Sequence, residues 1–148
     1  MHHHIRSEIE IEAPPEAVWT HLTDLTSYAD WNPFITAAEG TPAVGERLKL
    51  RMQPPGGRAM TMRPTVTAAE PTRVFEWLGR LGMKGLFDGH HRFELTPTAT
   101  GTHLIQSEQF SGVLVRMLRG MLDGPTLSGF EAMNEAHAAR ATSSSQAS

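Results

Sequence analysis

The chain has 148 residues, a length that suits one domain with a buried core, and 39% of them are hydrophobic. A formal net charge of −3 gives no overall electrostatic footprint for nucleic acid or an anionic membrane. There is no cysteine, which excludes disulfides and thiolate metal sites, and no apolar run approaches the roughly 20 residues that span a bilayer.

Residues 1–4 are expected to form an N-terminal extension, and His2 to His4 are assigned no function. In Ile5 to Glu12 the isoleucines Ile5, Ile9 and Ile11 alternate with Glu8, Glu10 and Glu12, which predicts a half-buried strand. Pro14 and Pro15 then suit the first turn of a helix, where a missing N–H costs nothing. Val18, Leu22 and Leu25 recur at helical spacing and predict one apolar stripe. Leu25 to Asp30 reads as a further helical turn, stopped by Asn32-Pro33. Strands are predicted at Phe34–Glu39 and again from Gly45 through Met52, where Leu48, Leu50 and Met52 alternate with Lys49 and Arg51. After the Gln53–Gly57 turn, Met60, Met62, Pro64 and Val66 mark one face of a longer strand. Pro64 lacks a ladder donor and predicts a bulge or an edge there. Arg73–Leu78, Leu86–Leu95 and Thr102–Phe110 complete the strand series.

From Ser111 the period becomes helical. Leu114, Met117, Leu118, Met121 and Leu122 predict a buried stripe that Leu127, Phe130 and Met133 continue, with the methionines in the core. Asp123-Gly-Pro125 interrupts it and predicts a kink or two abutting helices. Residues 141–148 are polar and small and are expected to be disordered. A single domain over 5–140 follows.

Strand parity identifies the interior. In Gly89–Leu95, Phe93 and Leu95 face the core, so Gly89 and His91 do too, while His90, Arg92 and Glu94 face solvent. In the next strand the inward set is Leu104, Gln106, Glu108 and Phe110. A hairpin that pairs Leu95 with Leu104 sets Phe93 opposite Gln106 and His91 opposite Glu108, with Phe75 or Trp77 beside His91. One imidazole, one carboxylate and one amide then share an aromatic interior. Three roles fit them: a buried pair that satisfies its own polarity, polar anchors in a ligand cavity, or an acid–base pair. His90 and His91 point to opposite faces and cannot chelate together, so no metal is expected. The glycine pairs lack a phosphate-loop ending, and no cofactor is expected.

The order strand, Pro-Pro-Glu-Ala-Val-Trp helix, Trp31-Asn-Pro-Phe34, strand series and C-terminal helix resembles the SRPBCC superfamily, which includes START domains and polyketide cyclase/dehydrase-like proteins. Glu76-Trp77, His91-Arg92-Phe93 and Ser107–Gly112 add to the resemblance, which spans Ile5 to about Arg140. It implies an α+β helix-grip fold: a curved antiparallel sheet of about six to seven strands around a long C-terminal helix, with one or two short helices after the first strand. It also implies an apolar cavity between sheet and helix.

The expected function is binding of a small hydrophobic molecule of lipid, polyketide or aromatic type. Phe34, Met62, Phe75, Trp77, Phe93, Phe110, Leu118 and Leu122 would line the cavity, and His91, Gln106 and Glu108 would anchor the guest. Gly120, Gly124-Pro125 and Gly129 would let the helix move. The alternative is a cofactor-independent cyclase or dehydratase in which His91 and Glu108 move protons. A third reading, a partner-binding module, would show as an exposed apolar patch outside the cavity. With no secretory block at the N-terminus, the protein is expected to be cytoplasmic, without nucleic-acid partners or membrane insertion, and monomeric or homodimeric.

Overall fold

The computed structural model describes residues 2–147. Strand β1 runs His2–Ile11 and is followed by helix α1, Pro15–Thr23. A 3-10 turn at Leu25–Ser27 leads into the single-turn helix α2, Tyr28–Trp31. Pro14 and Pro15 sit at the start of α1, and Val18, Leu22 and Leu25 are all buried, so the apolar stripe packs as its spacing requires. Strands β2 (Ile35–Glu39), β3 (Lys49–Met52), β4 (Met60–Met62), β5 (Thr65–Glu70), β6 (Val74–Arg80), β7 (Asp88–Pro97) and β8 (Thr102–Ser111) follow. The chain closes with helices α3 (Val115–Met121) and α4 (Leu127–Ala147), joined by a π turn at Leu122–Thr126.

All strand pairs are antiparallel. One sheet has the order β1-β8-β7-β6-β5 and the other β2-β3-β4. The bridge between Arg47 and Thr65, with the bond from Leu48 N–H to the Pro64 carbonyl (2.8 Å), carries the chain from one sheet to the other and makes a continuous curved wall. The predicted long strand over 60–67 divides into β4 and β5 at Arg63-Pro64, because Pro64 has no N–H for a ladder. This division, with a bulge between Val66 and Ala68, gives eight strands rather than six or seven.

The helical grip is present. α4 lies against β1 and α1, and its buried line runs through Phe130, Met133, His137 and Ala141. Regular structure begins at His2 and runs to Ala147. His2 to His4 pair with Ser111 to Gln109, because ladder bonds use backbone groups and need no apolar side chain. At the other end α4 continues through 141–147, where each added residue of an existing helix gains one backbone bond. Met1 and Ser148 lie outside the described residues.

The α3 stripe requires a correction. Val115 and Leu122 are buried and Leu118 is half-buried, whereas Met117 and Met121 are exposed and are not core residues. The buried line runs 115, 118, 122, 126, 130: it keeps the predicted Leu118, Leu122 and Phe130 and takes Val115 and Thr126 in place of Leu114, Met117 and Met121. Met117 and Met121 lie one position round the helix from Leu118 and Leu122, on its exposed edge, and the expected interruption at Asp123-Gly-Pro125 is the π turn that sets how α3 meets α4.

Candidate functional site

The β7–β8 hairpin positions the polar triplet. Its register sets Leu95 opposite Leu104, Phe93 opposite Gln106 and His91 opposite Glu108, and β6 places Trp77 beside His91. Alternation turns His91 inward with Phe93 and Leu95, and the register set by the hairpin turn brings it opposite Glu108. Leu104, Gln106, Glu108 and Phe110 line the same inner face of β8.

His91 is fully buried. Its Nδ1 lies 3.0 Å from Glu108 Oε1 and its Nε2 lies 2.9 Å from Gln106 Oε1. The Gln106 amide nitrogen donates to the Phe130 carbonyl (3.3 Å) and to Asn134 Oδ1 (2.8 Å), and Asn134 Nδ2 donates to Ser7 Oγ (3.0 Å). A backbone carbonyl only accepts, so Phe130 fixes which way the Gln106 amide faces. Gln106 therefore offers an oxygen to His91, and Nε2 must carry hydrogen. One proton remains for the Nδ1–Glu108 contact: either imidazolium faces carboxylate or carboxylic acid donates to neutral imidazole. The two residues share a proton, and neither ring nitrogen is free for a third partner in this conformation.

Aromatic rings surround the imidazole. Trp77 stacks on His91 at 4.8 Å, Phe130 approaches it at 4.8 Å and Phe93 at 4.9 Å. Phe75 meets Trp77 edge-on at 5.5 Å, and Phe34 meets Phe130 at 5.6 Å. The space expected for a guest beside His91 is thus occupied by the ring of Phe130. A depression of about 300 Å³ lies on the outer face of β2–β3–β4 and one of about 330 Å³ beside the β7–β8 turn. None of the predicted lining residues borders either one.

Of the predicted wall, Phe34, Phe75, Trp77, Phe93 and Leu122 are buried. Phe110 is buried as well but stacks on Phe87 at 5.5 Å, toward the β6–β7 loop. Met62 and Leu118 are only half-buried, and Met62 reaches over Gly79. Sequence reasoning missed Phe130 and Asn134 as site residues. The signal was available: 130 and 134 are one helical turn apart, so Asn134 puts an amide on the buried side of the stripe.

Other titratable groups serve the walls. On the outer face Glu76 accepts hydrogen bonds from Thr67 (2.9 Å) and Arg92 (2.7 Å), with His90 at 2.9 Å. Burial pulls its pKa up, but those hydrogen bonds and the charges of His90 and Arg92 outweigh it and hold the carboxyl below its ordinary range. Among the described residues no cluster of three or more metal-ligating side chains occurs. No described helix is long and apolar enough to cross a membrane.

A family model described as polyketide cyclase/dehydrase and lipid transport matches residues 2–142. No curated protein matches the chain significantly. Among solved structures, protein MLL2253 from Mesorhizobium loti is 26% identical, with a TM-score of 0.70 over 93% of this chain and 96% of that one. The Zhui aromatase/cyclase of a Streptomyces species is 18% identical, with a TM-score of 0.77 over 95% of this chain and 94% of that one. A norcoclaurine synthase of Thalictrum, solved with a transition-state analogue, is 15% identical, with a TM-score of 0.76 over 97% and 96%. The two enzymes share the fold; at such identity the likeness extends no further.

Proposed function

The chain belongs to the polyketide cyclase/dehydrase and lipid transport family, and from that membership we propose that it binds a small hydrophobic molecule between the five-stranded sheet and the C-terminal helices. The guest is of lipid, polyketide or aromatic type. The observation that carries this reading is the polar trio His91, Gln106 and Glu108 set among aromatic walls, with the ring of Phe130 in the guest's place. Phe130 belongs to the segment just after the π turn, next to Gly124 and Pro125. Withdrawal of that segment opens one face of His91 to a planar apolar guest, with Phe34, Phe75, Trp77, Phe93 and Leu122 as walls. Gln106 and Glu108 then fix the imidazole edge, as the few polar groups of an apolar pocket do.

Titration with a panel of fatty acids and aromatic polyketides, followed by tryptophan fluorescence, tests this, because Trp77 lies 4.8 Å from His91. A saturable change is expected, together with a co-purified apolar compound in native mass spectrometry. No saturable change with any member of the panel would refute it.

The proton shared by His91 and Glu108 favours a second reading, a cofactor-independent cyclase or dehydratase. In that case His91→Ala and Glu108→Gln abolish turnover while ligand affinity stays within a few-fold. Loss of affinity or stability alone speaks for binding.

A further inference from the structure

We propose that the end of the molecule formed by the β6–β7 loop and α3 docks on the surface of an anionic lipid bilayer. The two segments are one surface. Val113 N–H donates to the Gly85 carbonyl (3.1 Å), Leu114 N–H to that of Leu86 (3.1 Å), and Leu81 N–H to that of Phe87 (2.9 Å). Met83, Val113 and Met117 are 78%, 76% and 74% exposed, and Leu81 and Met121 are exposed beside them. Protruding apolar side chains on a single end of a protein mark a contact surface.

The charges around them identify the occupant. Residues 80–87 and 112–122 hold four of the chain's 13 basic residues, Arg80, Lys84, Arg116 and Arg119, and none of its 16 acidic ones. Of the nearest carboxylates, Asp88 lies 3.8 Å from Arg80 and offsets that one cation, and Asp123 lies 2.6 Å from His3. Lys84, Arg116 and Arg119 are exposed and form no ion pair among the described residues. The net charge of −3 conceals this local excess, and the membrane that the net charge argues against is the partner its distribution favours.

A second copy of the chain fits poorly, because a two-fold contact brings the patch against itself and offers those cations no carboxylate. Protein interfaces centre on aromatic and Arg anchors seated in pockets, and this patch has the arginines without an aromatic ring at its tips. A bilayer surface suits both features. Unbranched methionine side chains enter the acyl boundary without a preformed hole, and the guanidinium and ammonium groups meet anionic headgroups. Docking here does not rest on the ligand reading, and its test uses the protein without added ligand.

Cosedimentation with vesicles of phosphatidylcholine alone, or mixed with phosphatidylserine, measures it at low and high salt. Binding to the mixed vesicles is expected, with weaker binding to phosphatidylcholine alone and a decline as salt rises. The double variants Met83→Ser/Met117→Ser and Arg116→Glu/Arg119→Glu alter exposed positions only. Each is expected to weaken vesicle binding by at least about tenfold while circular dichroism is unchanged. Failure to bind the mixed vesicles, or equal binding by wild type and both variants, overturns the proposal. So does a wild-type dimer that Met117→Ser dissociates, since the patch would then cover a second copy.

Discussion

His137 shows what one buried side chain does to the pH response. Its Nε2 donates to the Val18 carbonyl at 2.9 Å, Trp31 stacks on it at 5.2 Å, and its Nδ1 has no partner among the described residues. Burial lowers its pKa from 6.5 to about 4, the Val18 hydrogen bond opposes this, and the charge of His21 adds to it. The folded protein thus holds a neutral imidazole that the unfolded chain protonates more readily. Stability from this group is complete above pH 6.5 and is lost as the pH falls toward 4, by about 3 kcal/mol. The urea midpoint should fall over that window, and His137→Gln, which keeps a donor for Val18, should flatten the fall. A wild-type midpoint independent of pH there would contradict the assignment. His91 is the contrast: equally buried, but given a proton-sharing carboxylate and an oriented amide.

The helices show how one residue type takes opposite roles within a single element series. A Cβ at Gly129 would collide with the ring of Phe34, so glycine there permits close packing of α4 on the start of β2. At Gly120 in α3 nothing lies within 4 Å of the added carbon. Gly129→Ala should therefore destabilise by about 1–3 kcal/mol through overpacking, despite alanine's better helix propensity. Gly120→Ala should stabilise by about 0.5–1 kcal/mol. Chemical denaturation of the two variants decides this, and shifts of the same sign would refute the distinction. The strands were easier to read than the helices. Alternation in β7 and β8 is enough to set the faces of His91 and Glu108, without any tertiary contact. The apolar stripe of α3 is wider than its buried face: Leu114, Met117 and Met121 each lie one position from Val115, Leu118 and Leu122 on the same helix, and apolarity alone does not say which edge is covered.

At the scale of the whole molecule the two chain ends hold each other. β1 is the outer strand of the main sheet, α4 lies against it, Asn134 bonds to Ser7, and His3 reaches Asp123 in the π turn. Ile5 and Ile11 are buried in the same core as Phe130 and Met133. Deletion of residues 1–11 removes that apolar surface and leaves β8 as an open edge able to pair with other chains. Loss of a cooperative thermal transition by circular dichroism is expected, with aggregation. A truncated protein that still melts cooperatively would show that the ends are dispensable.

The sequence by itself determined the order of elements, the inward faces of the strands and the facing of His91 with Glu108. Those follow from a period of two and a short hairpin, both local properties of the chain. Only the tertiary structure decided that Phe130 fills the place beside His91, that Asn134 completes the polar network, and that Met117 turns outward. Each of these depends on how a helix far along the chain is rotated and seated against the sheet. Packing between distant segments sets that, and no repeat within one segment encodes it.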